Sequence, residues 1–268
     1  MDNPVLNTEW RKVASAIYKK PVDSKLFGSV EIDVTDLETF INEKRQQGLK
    51  ITLTHFFLLT VARAIKYEIP ELNTYIRRGK VIRRDKIDAM VSVLVDDSQM
   101  SQVKLHDADT LTLSEVAGVM NKEIKNTRKG LENKVMKMKS LLASLPWPLR
   151  GMVYGFIKWI TIDLGISIGA GLSANNFGSF ILTNIGSIGL DTGYPALMPT
   201  SNVAIVIVMG GVSKKPVVVN DEIVVRRIIT LTAALDHRVV DAFHAGRLFR
   251  YIKKTVKNPE TLEGKLAH

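Results

Sequence analysis

The feature that most constrains the fold is a run of apolar, largely β-branched residues that fills most of the stretch from 201 to 236. Such runs are typical of strands buried in a sheet. The dipeptide Asn220–Asp221 interrupts the run and predicts a hairpin between 214–220 and 222–236. Strands and helices do not alternate one for one along the chain, so the sequence predicts an α/β fold in which helices pack on a mixed sheet.

The remaining elements follow from hydrophobic periodicity and end signals. Alternating apolar residues in 27–35 predict a strand, and Thr35 with Glu38 has the spacing of a capping box, opening a helix that Gly48 ends. A second capping box, Thr112 with Glu115, opens a long helix toward residue 140. Further predicted elements are helices at 54–68 and 240–257, a hairpin at 76–84 around Gly79, and strands at 86–97, 177–186 and 201–212. The apolar face of the last helix consists of Ala242, Ala245, Leu248, Phe249 and Ile252.

The amino-acid composition excludes several kinds of functional site. The chain has no cysteine, which excludes disulfides, thiolate metal sites and a thiol nucleophile and favours a cytoplasmic protein. The histidines lack ligand-like spacing, so no metal is expected, and the charged N-terminus does not resemble a signal peptide. A net charge of +10 predicts an anionic partner. The basic clusters are dispersed without interleaved aromatic residues, so we expect no nucleic acid.

One pair of residues could take part in catalysis. His237 directly follows an apolar strand and Asp241 lies where the next helix begins. A histidine at the rim of a rigid element can serve as a general base once its tautomer is fixed. A histidine at a strand end can equally be structural, and the residues around it leave both interpretations open.

The segment His237–Asp241, His-Arg-Val-Val-Asp, resembles the His-x-x-x-Asp signature of dihydrolipoyl acyltransferase components of 2-oxoacid dehydrogenase complexes and of chloramphenicol acetyltransferase. Residues 180–186, FILTNIG, resemble the strand and turn that carry the oxyanion-stabilising hydroxyl in that family. Residues 10–12, WRK, resemble its N-terminal basic segment, and 202–241 is similar to its C-terminal core. The resemblance extends from about Arg11 to Leu262.

The resemblance implies a chloramphenicol acetyltransferase-like fold and a site with four residues. His237 would take the proton of a thiol or hydroxyl acceptor as the acceptor attacks acyl-coenzyme A. The Thr183 hydroxyl would bind the tetrahedral oxyanion, an interaction worth about 3 kcal/mol. Asp241 would pair with Arg11 and hold the histidine loop. The family is trimeric, with His237 of one chain facing Thr183 of its neighbour, and trimers can form larger assemblies.

Two departures from the family pattern bear on function. Ala242 stands where the family normally has glycine, which suggests a different loop path or an impaired site. The sequence also predicts a single catalytic domain over 1–268, without lipoyl or subunit-binding domains, so a lipoyl group would come from a separate protein. The main prediction is a coenzyme A-dependent acyltransferase. The alternative is a weakly active or inert trimeric module that binds acyl-coenzyme A or scaffolds a metabolic complex.

Residues 134–165 look like an insertion into the family pattern. The segment is apolar, aromatic and basic, but prolines and charges interrupt it before it reaches the length of a membrane-spanning helix. Three alternatives remain: a helix at a membrane interface, a lid over the acceptor channel, or packing at a subunit contact. The sequence favours packing over membrane contact.

Overall fold

The computed structural model describes residues 24–96, 99–128, 144, 146, 149–168, 173–198 and 200–265. The strands in these ranges are β1 (Lys25–Asp33), β2 (Thr74–Arg77), β3 (Lys80–Arg83), β4 (Ala89–Asp96), β5 (Gln99–Leu105), β6 (Phe180–Asn184), β7 (Ile205–Val219) and β8 (Glu222–Asp236). The α-helices are α1 (Thr35–Gln46), α2 (Leu53–Tyr67), α3 (Leu113–Arg128), α4 (Leu149–Lys158) and α5 (Ala242–Lys257).

The main sheet has six strands in the order β1-β8-β7-β6-β4-β5. Strand β6 is parallel to both of its neighbours, β4 and β7, whereas the other pairs are antiparallel. The predicted mixed sheet is therefore confirmed. Strands β2 and β3 form a separate hairpin around Arg78 and Gly79, both of which have positive φ.

The two faces of the sheet differ in how they are covered. Helices α1, α2, α3 and α5 pack on one face, where the main core includes Phe180, Leu182 and Ile207. The opposite face carries a smaller apolar cluster that includes Ile181, Val206 and, from the loop before β7, Leu197 and Val203. Because side chains alternate along a strand, each residue of β6 can be assigned to one of these faces.

Most predicted helices and strands are present, and some of them begin or end at the predicted capping residues and glycines. Thr112 and Glu115 form the second capping box: Thr112 N donates to Glu115 Oε2 at 2.8 Å and Glu115 N donates to Thr112 Oγ1 at 3.3 Å. Gly48 has φ +90° just past the end of α1. The long helix α3 is described to Arg128, and its predicted continuation toward 140 lies outside the described residues.

Four expectations were wrong in detail. Thr35 and Glu38 do not form a capping box, because Glu38 instead pairs with Arg227 of β8 at 2.7 Å. Strands predicted at 201–212 and 214–220 are one strand, β7, with a bulge at Gly210–Gly211 between Met209 and Val212. Strand β5 was not predicted. Helix α5 starts at Ala242 rather than 240, and Ala242 is exposed rather than part of the buried face.

Part of the predicted insertion forms helix α4, which continues into a π-helical turn at Trp159–Asp163. The turn is anchored to the β2–β3 hairpin, where Arg78 N donates to Asp163 O at 3.2 Å. Among the helices of the described ranges, none combines the length and apolar character needed to cross a membrane.

Candidate active site

His237 lies one residue beyond the end of β8, in the loop that leads into α5. Its backbone N donates to Ser24 O at 2.7 Å, and the preceding residue, Asp236, donates its backbone N to Ala204 O at 2.9 Å. These bonds hold the loop to the chain entering β1 and to the start of β7. The histidine is therefore placed by the rigid sheet, and its side chain remains partly exposed.

The surroundings of the imidazole select one tautomer. His237 Nδ1 lies 2.9 Å from Val240 O and 3.3 Å from Asp241 Oδ1. Because both neighbours accept hydrogen bonds, the proton of the neutral ring is assigned to Nδ1. The lone pair of the ring then lies on Nε2, directed away from these two acceptors. This is the protonation state that a general base requires.

A buried ion pair brackets His237, and the sequence reasoning missed it. Asp236 and Arg238 are both largely buried, and Arg238 Nη2 lies 2.5 Å from Asp236 Oδ2. Arg238 N also donates to Asp236 Oδ1 at 3.0 Å. The residues on either side of the histidine are thus tied together, which limits the conformations open to the loop. The opposite charges two residues apart in Asp-His-Arg are the signal that could have indicated this pair.

The start of α5 supports the loop from the other side. Asp241 is the N-cap residue, as its predicted position at the helix start requires, and its carboxylate lies at the positive end of the helix. His244 completes the cap, because its Nδ1 accepts a hydrogen bond from Asp241 N at 3.0 Å. Ala242 begins the helix with right-handed helical backbone and an exposed side chain. The structure shows no strain at the position where glycine was expected.

Thr183 lies in β6 at the centre of the sheet, paired with Ser92 of β4 and Val208 of β7. It follows the alternation of Ile181, so it belongs to the face opposite the helices. The same register row continues to Thr232 of β8. Thr183 is half-buried, so its hydroxyl lies at the margin of the small apolar cluster rather than inside the main core.

The register separates Thr183 from His237 within one chain. Thr183 is aligned with Thr232, two strands away, and His237 lies five residues beyond Thr232. Five residues span roughly 17 Å along a strand, and two strand spacings span roughly 10 Å across the sheet. Because these two distances are perpendicular, Thr183 and His237 of one chain are roughly 20 Å apart. One small reacting group cannot contact both side chains in a single chain.

The turn after Thr183 is closely fitted to β7. Ile185 N donates to Met209 O at 2.9 Å, and a Cβ on Gly186 would lie 2.7 Å from Gly210 O. On the helix side, Asn184 Nδ2 donates to Thr54 Oγ1 of α2 at 3.2 Å. The bulge in β7 and the start of α2 therefore fix the end of the strand that carries Thr183.

Arg11, the predicted partner of Asp241, lies outside the described residues. A cavity of about 260 Å³ beside the end of β6 is lined by Asn184, Thr54, Arg45 and other residues of α1 and α2. It lies on the helix side of the sheet, so Thr183 does not face it. In the described ranges, no group of three or more His, Asp or Glu side chains could hold a metal ion.

The sequence matches the family model of the 2-oxoacid dehydrogenases acyltransferase (catalytic domain) over residues 4–137 and 173–263. Among curated proteins, it is 27% identical over 235 residues to the lipoamide acyltransferase component of the branched-chain alpha-keto acid dehydrogenase complex of Bacillus subtilis. That alignment covers 85% of this chain and 46% of the Bacillus protein. The chain spans about half the length of the curated relatives it matches.

Solved structures share the fold. A probable dihydrolipoamide acetyltransferase from Listeria monocytogenes superposes with a TM-score of 0.66 at 21% identity, covering 93% of this chain and 89% of that one. A chloramphenicol acetyltransferase superposes with a TM-score of 0.52 at 13% identity, covering 96% and 99%. The predicted chloramphenicol acetyltransferase-like fold is confirmed. Since the family model matches well over half of its residues, the chain belongs to the family of 2-oxoacid dehydrogenase acyltransferase catalytic domains.

Proposed function

We propose that the protein transfers an acyl group between coenzyme A and the thiol of a dihydrolipoyl group, with His237 as the general base. The observation that carries the proposal is the geometry of His237: Val240 O and Asp241 Oδ1 fix Nδ1 as a donor, so Nε2 can accept a proton. The relatives are named as lipoamide or dihydrolipoyllysine acyltransferases, which supports a thiol as the acceptor. A hydroxyl acceptor remains the second choice.

In the proposed reaction the acyl group passes directly from the sulfur of coenzyme A to the acceptor sulfur. Nε2 of His237 takes the thiol proton as the sulfur attacks the carbonyl carbon of acyl-coenzyme A. The Thr183 hydroxyl donates a hydrogen bond to the resulting oxyanion, which contributes about 3 kcal/mol to transition-state stabilisation. When the oxyanion collapses, the carbon–sulfur bond to coenzyme A breaks and its sulfur receives the proton from His237. The reverse sequence loads coenzyme A from an acyl-lipoyl group.

A homotrimer would complete this site. His237 and Thr183 of one chain are roughly 20 Å apart by register, so a shared substrate needs them from two chains. Thr183 lies on the sheet face that the helices do not cover, where a neighbouring chain can approach it. Asp241 would serve as a positioning residue, since its carboxylate lies beside Nδ1 rather than Nε2. Arg11 as its partner remains a prediction.

Ala242 no longer favours the inert alternative. Its helical backbone and exposed methyl group fit the loop that presents His237, so the absence of glycine gives no structural reason for lost activity. A weakly active or scaffolding module therefore has no specific observation in its support. Coenzyme A and a dihydrolipoyl group are the substrates that the proposal requires, and the positive charge of the chain suits the phosphates of coenzyme A.

The test compares three proteins in an assay of coenzyme A release from acetyl-coenzyme A with free dihydrolipoamide. Wild type should turn over, and His237→Ala should be slower by roughly 10² to 10⁴-fold in kcat. His106→Ala is the matched control, because His106 is an exposed histidine just beyond β5 that is paired with Asp88. It should keep the wild-type rate. Equal rates for wild type and His237→Ala would overturn the assignment of the base, and no turnover by wild type with thiol or alcohol acceptors would overturn acyl transfer itself.

A further inference from the structure

A row of polar side chains crosses the sheet face that carries Thr183. In the register of the sheet, Ser92 of β4 pairs with Thr183 on one side and with Gln102 of β5 on the other. Beyond Thr183 the row continues through Val208 of β7 to Thr232 of β8. Paired residues on neighbouring strands point to the same face of a sheet. Of the two residues directly beside Thr183, Ser92 therefore brings a second hydroxyl, whereas Val208 has none.

The preceding pair in the two strands shows that Ser92 lies on this face. Met90 and Ile181 are paired two residues earlier in β4 and β6, and both belong to the small apolar cluster opposite the helices. Because side chains alternate along a strand, Ser92 and Thr183 extend from the same face one step further along. Both side chains are half-buried. The two hydroxyls therefore lie side by side at the margin of the apolar cluster.

The hydroxyls of Ser92 and Thr183 differ from that of Thr232, which holds part of the fold. Thr232 is buried and donates to Gly193 O, so its hydroxyl stabilises the loop between β6 and β7. Within the ranges that the structure describes, Ser92 and Thr183 have no such hydrogen-bond partner. A half-buried hydroxyl that is not used within its own chain can donate to a substrate.

The spacing of the two hydroxyls suits one shared acceptor. Neighbouring strands lie roughly 5 Å apart, so the Cβ atoms of Ser92 and Thr183 are separated by about that distance. An oxygen that accepts two O–H bonds of about 2.7 Å at a tetrahedral angle has its two donors roughly 4.5 Å apart. A single oxygen atom above the sheet can therefore accept hydrogen bonds from both side chains at once.

We propose that Ser92 donates a second hydrogen bond to the tetrahedral oxyanion, beside the one from Thr183. The inference rests on the proposed function, because Thr183 is the oxyanion donor in that reaction. One hydroxyl satisfies only one of the lone pairs of the negative oxygen, and donors that are in place before the reaction stabilise the charge as it develops. The pairing of β4 with β6 holds Ser92 in this position, so no movement of the backbone is needed. Ser92 is thus a catalytic residue that contacts the reacting oxygen.

The kinetics of Ser92→Ala and Ser92→Thr with acetyl-coenzyme A and dihydrolipoamide test the proposal. Ser92→Ala should lower kcat roughly 10²-fold, while the KM for acetyl-coenzyme A stays within about twofold of wild type, because the lost bond forms only in the transition state. Ser92→Thr keeps the hydroxyl in a residue suited to a strand, and its kcat should stay within about fivefold of wild type. Thermal unfolding checks that each variant is folded. Wild-type kcat in Ser92→Ala, or equal losses of kcat in both variants, would overturn the proposal.

Ser29→Ala is the matched control, and Thr183→Ala separates this inference from the proposed function. Ser29 is an exposed residue of β1 in the same row, paired with Thr232 and three strand spacings, roughly 15 Å, from Thr183. Ser29→Ala should keep the wild-type kcat, and a loss equal to that of Ser92→Ala would overturn the assignment to Ser92. If Thr183→Ala is slow and Ser92→Ala is not, the proposed function stands and Ser92 is not an oxyanion donor. No turnover by wild type, or a wild-type rate for Thr183→Ala, would overturn both proposals.

Discussion

Acidification should destabilise the fold through His55, a histidine at the start of α2. It is almost fully buried, and its Nδ1 accepts a hydrogen bond from Thr52 N at 3.1 Å as part of the cap of the helix. Burial, with a smaller contribution from the positive charge of Arg45, lowers the pKa of His55 from 6.5 to about 4. The neighbouring Thr54 bonds Asn184, so this cap also supports the strand that carries Thr183.

The direction and size of this loss of stability follow from the coupling between unfolding and protonation of His55. Between about pH 4 and pH 6.5 the unfolded chain binds the His55 proton more readily than the folded chain, so the free energy of unfolding falls as pH falls. The contribution is fully present above about pH 6.5 and fully lost below about pH 4. One pKa unit corresponds to about 1.4 kcal/mol, so the total loss is about 3 kcal/mol, of which about 2 kcal/mol is lost by about pH 5.

Urea unfolding of wild type and His55→Gln at about pH 7.5 and about pH 5 isolates this contribution. Glutamine keeps an acceptor for the backbone of Thr52, as in a standard capping box, but does not titrate. Wild type should lose about 2 kcal/mol more than His55→Gln between the two pH values. The comparison cancels the titration of all other groups. The same loss of stability in both proteins would show that His55 does not cause the acid destabilisation.

Two further substitutions test the loops around the site. Ala242→Gly should leave kcat unchanged and lower stability by up to about 1 kcal/mol, because Ala242 is already helical and exposed. A tenfold rise in kcat would show that Ala242 impairs the site. Gly186→Ala should lower both stability, by about 1 to 3 kcal/mol, and kcat, because its Cβ would lie 2.7 Å from backbone atoms of Gly210 and Gly211. Gly118→Ala in α3 is the control, since nothing lies within 4 Å of its Cβ, and it should stabilise by about 0.5 to 1 kcal/mol. Wild-type kcat in Gly186→Ala would show that the turn does not position Thr183.

Turns and helices that depend only on neighbouring residues could be predicted from the sequence. Asn220 and Asp221 adopt positive φ at the tip of the β7–β8 hairpin, as their dipeptide predicts. Elements set by distant contacts could not. Glu38 has the spacing of a capping residue, but Arg227, 189 residues away, offers it a charged partner. Strand β5 was missed because its sequence, QMSQVKL, is largely polar and lies at the edge of the sheet.

In the candidate site, too, contacts between near neighbours in sequence could be predicted, whereas contacts between distant residues could not. His237 and Asp241 are four residues apart, and the structure places them in contact as the local pattern suggests. The position of Thr183 on the far side of the sheet depends on the pairing of β6, β7 and β8, which no local pattern specifies. Family resemblance supplied that residue, and the register explains why two chains would be needed to use it.

Mixed assemblies test most directly whether His237 and Thr183 act together across a subunit interface. His237→Ala and Thr183→Ala, each inactive or slowed by roughly 10² to 10³-fold or more, are co-expressed with different affinity tags and purified as hetero-assemblies. In a cyclic trimer that contains both variants, one of the three interfaces carries both native residues. Acyl transfer should therefore return to about a third of the wild-type rate. Activity no higher than that of the two parent variants would contradict it.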